Sequence, residues 1–260
     1  LIETRFNWKN VPDTVFNLDN MPSAKLRFRS GILGKPKRTK SGLPRLKDGA
    51  TENLLQFGMD QGLSGTIYTK FIKDKNGILW IATDDGLCSF DGEYCENYSL
   101  AQGLNYNWIY DILIDSHEQL WISYNYNRNG VTVINRGTGI IKHITTSEGL
   151  NSNNVRGFTE DNKGRIWIST DRGLNIIDQQ AGTIKNVGKA QGLSGNNTGF
   201  IFQDREGKIW MIVNERTIDI IDERKGFIKH LDEQQGIGNK NINYITEDKL
   251  GRIWLGTDGG

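Results

Sequence analysis

Five of the seven tryptophans in this chain fall on one phase. Trp80, Trp121, Trp167, Trp210 and Trp254 each lie 18 residues after a glycine of a recurring Gln-Gly-Leu-like element: Gly62, Gly103, Gly149, Gly192 and Gly236. Those glycines are 41, 46, 43 and 44 residues apart, and an aspartate precedes each tryptophan by six (Asp74, Asp115, Asp161, Asp204, Asp248). A period of this length confines the chain to architectures in which one supersecondary unit stacks on copies of itself.

The unit reads as four strands. Residues 241–247 are β-prone and roughly alternating, which predicts a first strand. Asp248-Lys-Leu-Gly251 is a turn, with Asp bonding backbone amides ahead of it and Gly taking positive φ. Residues 252–257 form a second strand. In the first copy, residues 87–90 and 94–98 form the third and fourth around Asp91-Gly92, a hairpin signal. Four strands every 41–46 residues, with a large ring to fill the space between faces, predict an all-β fold: a β-propeller of four-stranded antiparallel blades. A β-sandwich does not require identical spacing in successive units, and a parallel β-helix requires a shorter coil. About five blades are expected within residues 52–260, with repeats near 62–102, 103–148, 149–191, 192–235 and an incomplete 236–260. Residues 52–57 read as the outer strand of a preceding unit. The chain starts at Leu1 and stops inside a motif, so it is expected to be a piece of a larger propeller.

Net charge is +1, which provides no global attraction for nucleic acid or an anionic membrane. No run of about 18–20 apolar residues is present, so any membrane attachment would come from segments outside these 260 residues. Residues 1–51 differ in kind. Nine Lys or Arg and no acid lie between Lys25 and Lys47, and Gly34-Lys-Pro-Lys37 is echoed by Gly42-Leu-Pro-Arg45. An extended basic lead segment is expected, lying along a blade or tying the propeller to a partner.

The segments Asp74-Lys-Asn-Gly-Ile-Leu-Trp-Ile-Ala-Thr-Asp-Asp-Gly-Leu87, Asp161-Asn-Lys-Gly-Arg-Ile-Trp-Ile-Ser-Thr-Asp-Arg-Gly-Leu174 and Asp248-Lys-Leu-Gly-Arg-Ile-Trp-Leu-Gly-Thr-Asp-Gly-Gly260 resemble the two-component regulator propeller repeat. Glu148-Gly-Leu-Asn-Ser-Asn-Asn-Val155 resembles the family's blade-start element. The resemblance spans residues 52–260. It implies the extracytoplasmic sensor half of a bacterial membrane receptor, on the periplasmic or extracellular side. A covalently linked output domain such as a histidine kinase would follow, and some members sense oligosaccharides. It implies no cofactor. Two copies depart from the pattern. Glu118 stands at a turn position held by Gly77, Gly164, Gly207 and Gly251, so that turn differs or holds a non-glycine at positive φ. Asn214-Glu-Arg-Thr217 replaces Thr-Asp-x-Gly, and an ordinary turn is expected there.

Repeated residues serve the shared architecture, so a one-copy departure is the place to look for a site. The second full copy has three extra residues within Tyr124-Asn-Tyr-Asn-Arg-Asn-Gly130, between its second and third strands. The loop entering that copy carries Asn105-Tyr-Asn-Trp108, with Trp108 where later copies have Asn154, Asn197 and Asn241. Both loops belong to the same face of a propeller. Tyr106, Trp108, Tyr124, Tyr126 and Arg128 are therefore the candidate ligand residues: rings to stack on sugar faces, with amides and a guanidinium for hydroxyls or a carboxylate. The alternative is a solvated Asn-rich loop whose rings pack on their own blade. No catalytic or metal-binding residues are expected. The aspartates are turn residues one blade apart, and His143 and His230 are matching surface positions two blades apart. Placing Asp91-Gly92 at the hairpin centre sets Cys88 directly opposite Cys95, as a disulfide or as two free thiols. The expected function is ligand sensing, with a protein-interaction scaffold as the alternative and a propeller lyase or glycosidase as a lesser one. The partners expected are a small-molecule or oligosaccharide ligand and the linked signalling domain, with dimerisation left open and no nucleic acid.

Overall fold

The computed structural model of the chain describes residues 11–46, 55–125, 129–237 and 240–259. The lead contributes β1 (Asp13–Val15), β2 (Ser23–Lys25), β3 (Arg29–Ile32), β4 (Lys37–Lys40) and β5 (Arg45–Leu46), followed by β6 (Leu55–Gln56). Blade 1 is β7 (Tyr68–Lys73), β8 (Leu79–Thr83), β9 (Gly86–Phe90) and β10 (Tyr94–Tyr98). Blade 2 is β11 (Ile109–Ile114), β12 (Gln119–Tyr124), β13 (Val131–Asn135) and β14 (Ile140–Ile144). Blade 3 is β15 (Val155–Glu160), β16 (Ile166–Thr170), β17 (Gly173–Asp178) and β18 (Thr183–Val187). Blade 4 is β19 (Thr198–Gln203), β20 (Ile209–Val213), β21 (Thr217–Asp222) and β22 (Phe227–Leu231), and β23 (Ile242–Glu247) and β24 (Ile253–Thr257) begin blade 5. Two units divide the chain: residues 28–148, and residues 1–27 with 149–260.

Within each unit the blades are antiparallel sheets in sequence order, as expected. Each of the four is one strand wider than the repeat alone provides. In the unit of residues 28–148, β4 pairs with β10 and β3 with β14. In the other, β2 pairs with β18 and β1 with β22. The lead therefore takes the blades in reverse chain order, adding a fifth strand to each. A blade's outer strand presents unpaired amides and carbonyls, and the lead satisfies them. The four strands that do so are three or four residues long and almost wholly exposed, so no buried periodicity announces them. The Gly-x-Pro echo now has a cause. Each copy directly precedes a lead strand, β4 or β5, where the chain passes over a turn. A side chain on Gly34 would meet the Gln102 Cα at 3.0 Å, and one on Gly42 the Asp60 carbonyl at 3.2 Å. β5 pairs with β6, residues 55–56 of the expected preceding strand; residues 52–54 lie outside the described ones.

The Gln-Gly element is a short 3-10 turn at residues 59–61, 100–102, 189–191 and 233–235. In each, the last Gln side chain accepts the amide at the start of the turn, at 2.8–2.9 Å, and the following glycine takes positive φ. In copy three Glu148 accepts the Thr145 amide at 2.8 Å in the same way.

Three turns refine the expectations. Glu118 is a non-glycine at φ 61, one of the two options for that position. The blade 4 turn is not ordinary: Asn214 (φ 50) and Glu215 (φ 67) are both left-handed. A tight hairpin must match the right-handed twist of its strands, so positive φ is kept even without glycine. The blade 1 hairpin centres one residue later than expected, on Gly92-Glu93. Asp91 N donates to Tyr94 O at 3.3 Å, and Asp91 Oδ1 accepts the Glu93 and Tyr94 amides. Cys88 consequently faces Asn97, and Cys95 faces Phe90.

The cores lie between blade faces. In the unit of residues 28–148, Trp80, Leu87 and Tyr98 of blade 1 pack on Ile109, Leu120, Ile122 and Ile134 of blade 2. In the other, Trp167, Leu174 and Ile176 pack on Ile201, Ile209, Met211 and Ile221, and Phe16 and Leu18 of the lead join the same cluster.

Candidate functional site

The repeated aspartate and tryptophan act as one device. In every copy the indole Nε1–H donates to the aspartate Oδ2 six residues earlier, at 3.1, 2.8, 2.7, 2.7 and 2.9 Å from blade 1 to blade 5. Oδ1 of the same carboxylate accepts turn amides, such as Asn76 and Ile78 on Asp74. The aspartate thus bonds both the turn and the ring that fills the interblade face. The constant six-residue spacing was the available signal for this bond. Burial opposes ionisation of Asp74, but bonds from Trp80, the Ile78 amide and Arg136 outweigh it and hold its pKa below the ordinary value. These carboxylates are committed to architecture and offer no free acid–base group.

The two blade 2 loops do meet. Asn125 N donates to Trp108 O and Asn105 Nδ2 donates to Asn129 O, both at 2.9 Å. Tyr106 and Trp108 are partly exposed, with Tyr106 also resting on the core. Tyr124 is different. It is 2% exposed, its hydroxyl donates to Thr132 Oγ1 at 2.6 Å and accepts the Asn105 amide at 3.1 Å, and burial raises its pKa. It props the entering loop from below instead of offering a ring face. Tyr126 and Arg128 lie outside the described residues. Sequence reasoning missed Asn107, which accepts the Leu100 amide at 2.9 Å and donates to Asp85 Oδ1 at 3.0 Å, locking the Tyr106–Trp108 segment to blade 1.

Cys88 and Cys95 are buried free thiols beside Leu63 and Ile81. Burial pushes both pKa values up, which makes them poor nucleophiles. The histidines are not simple surface residues. His143 Nδ1 lies 3.1 Å from Thr132 Oγ1, and burial together with Arg29 lowers its pKa. His230 lies 2.7 Å from buried Asp219 and 3.0 Å from Thr14 Oγ1, fastening β1 to blade 4. Matching positions on a strand gave no sign of partners on the neighbouring one.

Repeated antiparallel blades, each closed by an Asp–Trp bond, define this chain as a β-propeller protein. The model of the two component regulator propeller family matches three of its repeats, at residues 62–85, 149–172 and 236–259. Among solved structures it is similar to two domains from B. thetaiotaomicron. One is designated the extracellular domain of a hybrid two component system; it is 25% identical with a TM-score of 0.68 and covers 79% of this chain. The other is designated the extracellular domain of a one component system; it is 26% identical with a TM-score of 0.63 and covers 74%. The chain spans 29% of the length of each. Virginiamycin B lyase from Staphylococcus aureus shares the fold alone, at 13% identity and a TM-score of 0.56 over 89% of this chain and 82% of the lyase. Among curated proteins no sequence match reaches significance. No helix among the described residues is long and apolar enough to cross a membrane.

Proposed function

We propose that this chain is part of the extracytoplasmic ligand-sensing propeller of a two-component receptor, reporting an oligosaccharide to a covalently linked signalling domain. The three repeat matches to the family model and the likeness to extracellular domains of signalling systems support the receptor setting. The observation that carries the ligand reading is the junction of the two blade 2 loops, where Asn105 binds Asn129 and Trp108 binds Asn125 through the backbone. That junction brings Tyr106 and Trp108 beside Asn125 and Asn129, which flank Tyr126 and Arg128 in the sequence. Rings supply stacking for sugar faces, and the amides and Arg128 supply hydrogen bonds. The protein is read as a binding module, not an enzyme, because its repeated carboxylates are saturated by structural bonds.

The test is a thermal-shift panel of oligosaccharides on this chain. At least one should raise the unfolding midpoint, and the paired Trp108→Ala, Arg128→Ala variant should lose that shift while unfolding at an unchanged midpoint without sugar. A panel with no responder, or a variant that responds like the parent, sinks the reading.

A further inference from the structure

Four blades place a polar pair at one equivalent point, where a third-strand residue faces a fourth-strand residue: Cys88 with Asn97, Thr132 with His143, Asn175 with Asn186, and Asp219 with His230. In three of them the two side chains bond each other. Thr132 meets His143 at 3.1 Å, Asn175 donates to Asn186, and Asp219 meets His230 at 2.7 Å. Blade 1 breaks the rule. The Cys88 thiol donates weakly to the Ser89 carbonyl of its own strand, and the Asn97 Nδ2 donates to Gly62 O at 2.9 Å. Asn97 Oδ1 is left buried with no hydrogen-bond partner among the described residues. A buried acceptor with no donor is a standing free-energy cost, removed by any O–H placed against it.

Asn97 also lines a cleft of about 530 Å³ formed with Lys37, Ser64, Asp85, Ser99 and Gln102. The cleft lies between the 3-10 turns at 59–61 and 100–102, a volume within the range of small-molecule sites. Lys37 has no ion pair among the described residues. The cleft wall continues into the candidate patch, because Asp85 accepts Asn107 Nδ2 from the Tyr106–Trp108 segment.

We infer that this cleft is a sugar-binding subsite in which the Asn97 side-chain carbonyl accepts a ligand hydroxyl. Asn97 is partly exposed on the cleft wall, and the terminal amide torsion of asparagine is soft. A turn of the amide, which gives up the Nδ2 bond to Gly62 O, brings its oxygen to the ligand. The Gln102 amide and Lys37 add donors and Asp85 adds an acceptor, beside the apolar side chains of Met59, Leu63 and Tyr98, a lining that suits a guest with hydroxyls and C–H faces such as a sugar. The inference rests on the sensing role only for its biological use; the binding chemistry stands separately.

The decisive variant is Cys88→Thr. It leaves the cleft lining untouched but gives Asn97 the in-blade partner that Thr132 provides for His143 in blade 2. Ligand-observed NMR with D-glucose, D-galactose and D-glucuronate as probes reads the subsite. At least one sugar should show saturation transfer, with affinity at least fivefold weaker in both Cys88→Thr and Asn97→Leu. The Cys88→Thr protein should also unfold at a higher temperature, which separates a filled hydrogen bond from a damaged fold. Equal affinity in the parent and Cys88→Thr overturns the subsite. Loss confined to Trp108→Ala overturns it too, while leaving the sensing role in place. Binding of none of the three sugars likewise overturns it, and the oligosaccharide panel then judges the sensing role independently.

Discussion

The two interblade contacts between blades 1 and 2 and between blades 3 and 4 bring a guanidinium to the repeat aspartate, Asp74 or Asp161, from opposite sides. In the first, Arg136, the residue after β13, crosses from blade 2 to bond Asp74 and also Glu118 of its own blade. In the second, the residue after β21 is Glu223, an acid at the equivalent place. It binds Arg165, which rises from blade 3's own turn and also bonds Asp161; the Arg165–Glu223 contact is 2.5 Å and the Arg165–Asp161 contact 2.6 Å. Blade 1 has Ile78 where blade 3 has Arg165. Both guanidiniums lie over the repeat indole, at 5.5 Å from Trp80 and 5.7 Å from Trp167. The lesson is that in these two contacts a cation sits beside the Asp–Trp bond whichever blade supplies it, whereas in blade 2 the neutral Gln119 takes the place and donates to Asp115 Oδ2 at 3.1 Å.

That symmetry yields the largest expected effect. Arg136→Glu alone places a carboxylate beside Asp74 and Glu118 in a part-buried site and should cost about 3–5 kcal/mol. Adding Ile78→Arg rebuilds the blade 3–4 arrangement and should recover at least half of that loss. Urea unfolding of the single and double variants checks it, and a double variant no more stable than Arg136→Glu breaks the comparison. Acid should affect both contacts less abruptly. Glu223 has its pKa lowered, burial being overcome by Arg165 and Lys163, and Asp74 is lowered as described above. A carboxyl whose folded pKa lies below its unfolded value adds stability that is complete above the unfolded value of about 4. That stability drains as pH falls through the folded value. Unfolding midpoints should therefore fall below about pH 4, and Arg136→Met should flatten the part owed to Asp74. The smallest effect belongs to Glu118→Gly. It relieves a left-handed φ but removes the second anchor of Arg136, so stability should change by less than about 1 kcal/mol. A larger loss would make Glu118 the dominant partner of Arg136.

The repeat, its strands and its tryptophans were legible because each rests on local rules: alternation, turn chemistry and spacing. The meeting of the blade 2 loops was also legible, since a three-residue insertion and a lone Trp108 interrupt an otherwise regular pattern. Tyr124 was misjudged as a ligand ring because a strand residue beside an insertion does not show which face it presents. The Arg136–Asp74 bond was invisible, its partners being 62 positions apart in the sequence.

The five Gly–Trp intervals determined by themselves that the chain folds as propeller blades, because a ring of that size recurring once per unit must fill each interblade face. Tertiary structure alone decided how the blades are finished. The lead strands carry no buried periodicity, so only the unpaired outer edges of the blades could recruit them. Blade 1 was likewise settled in three dimensions: Cys88 facing Asn97 is a matter of register, and a one-residue shift of the hairpin changes which side chains meet.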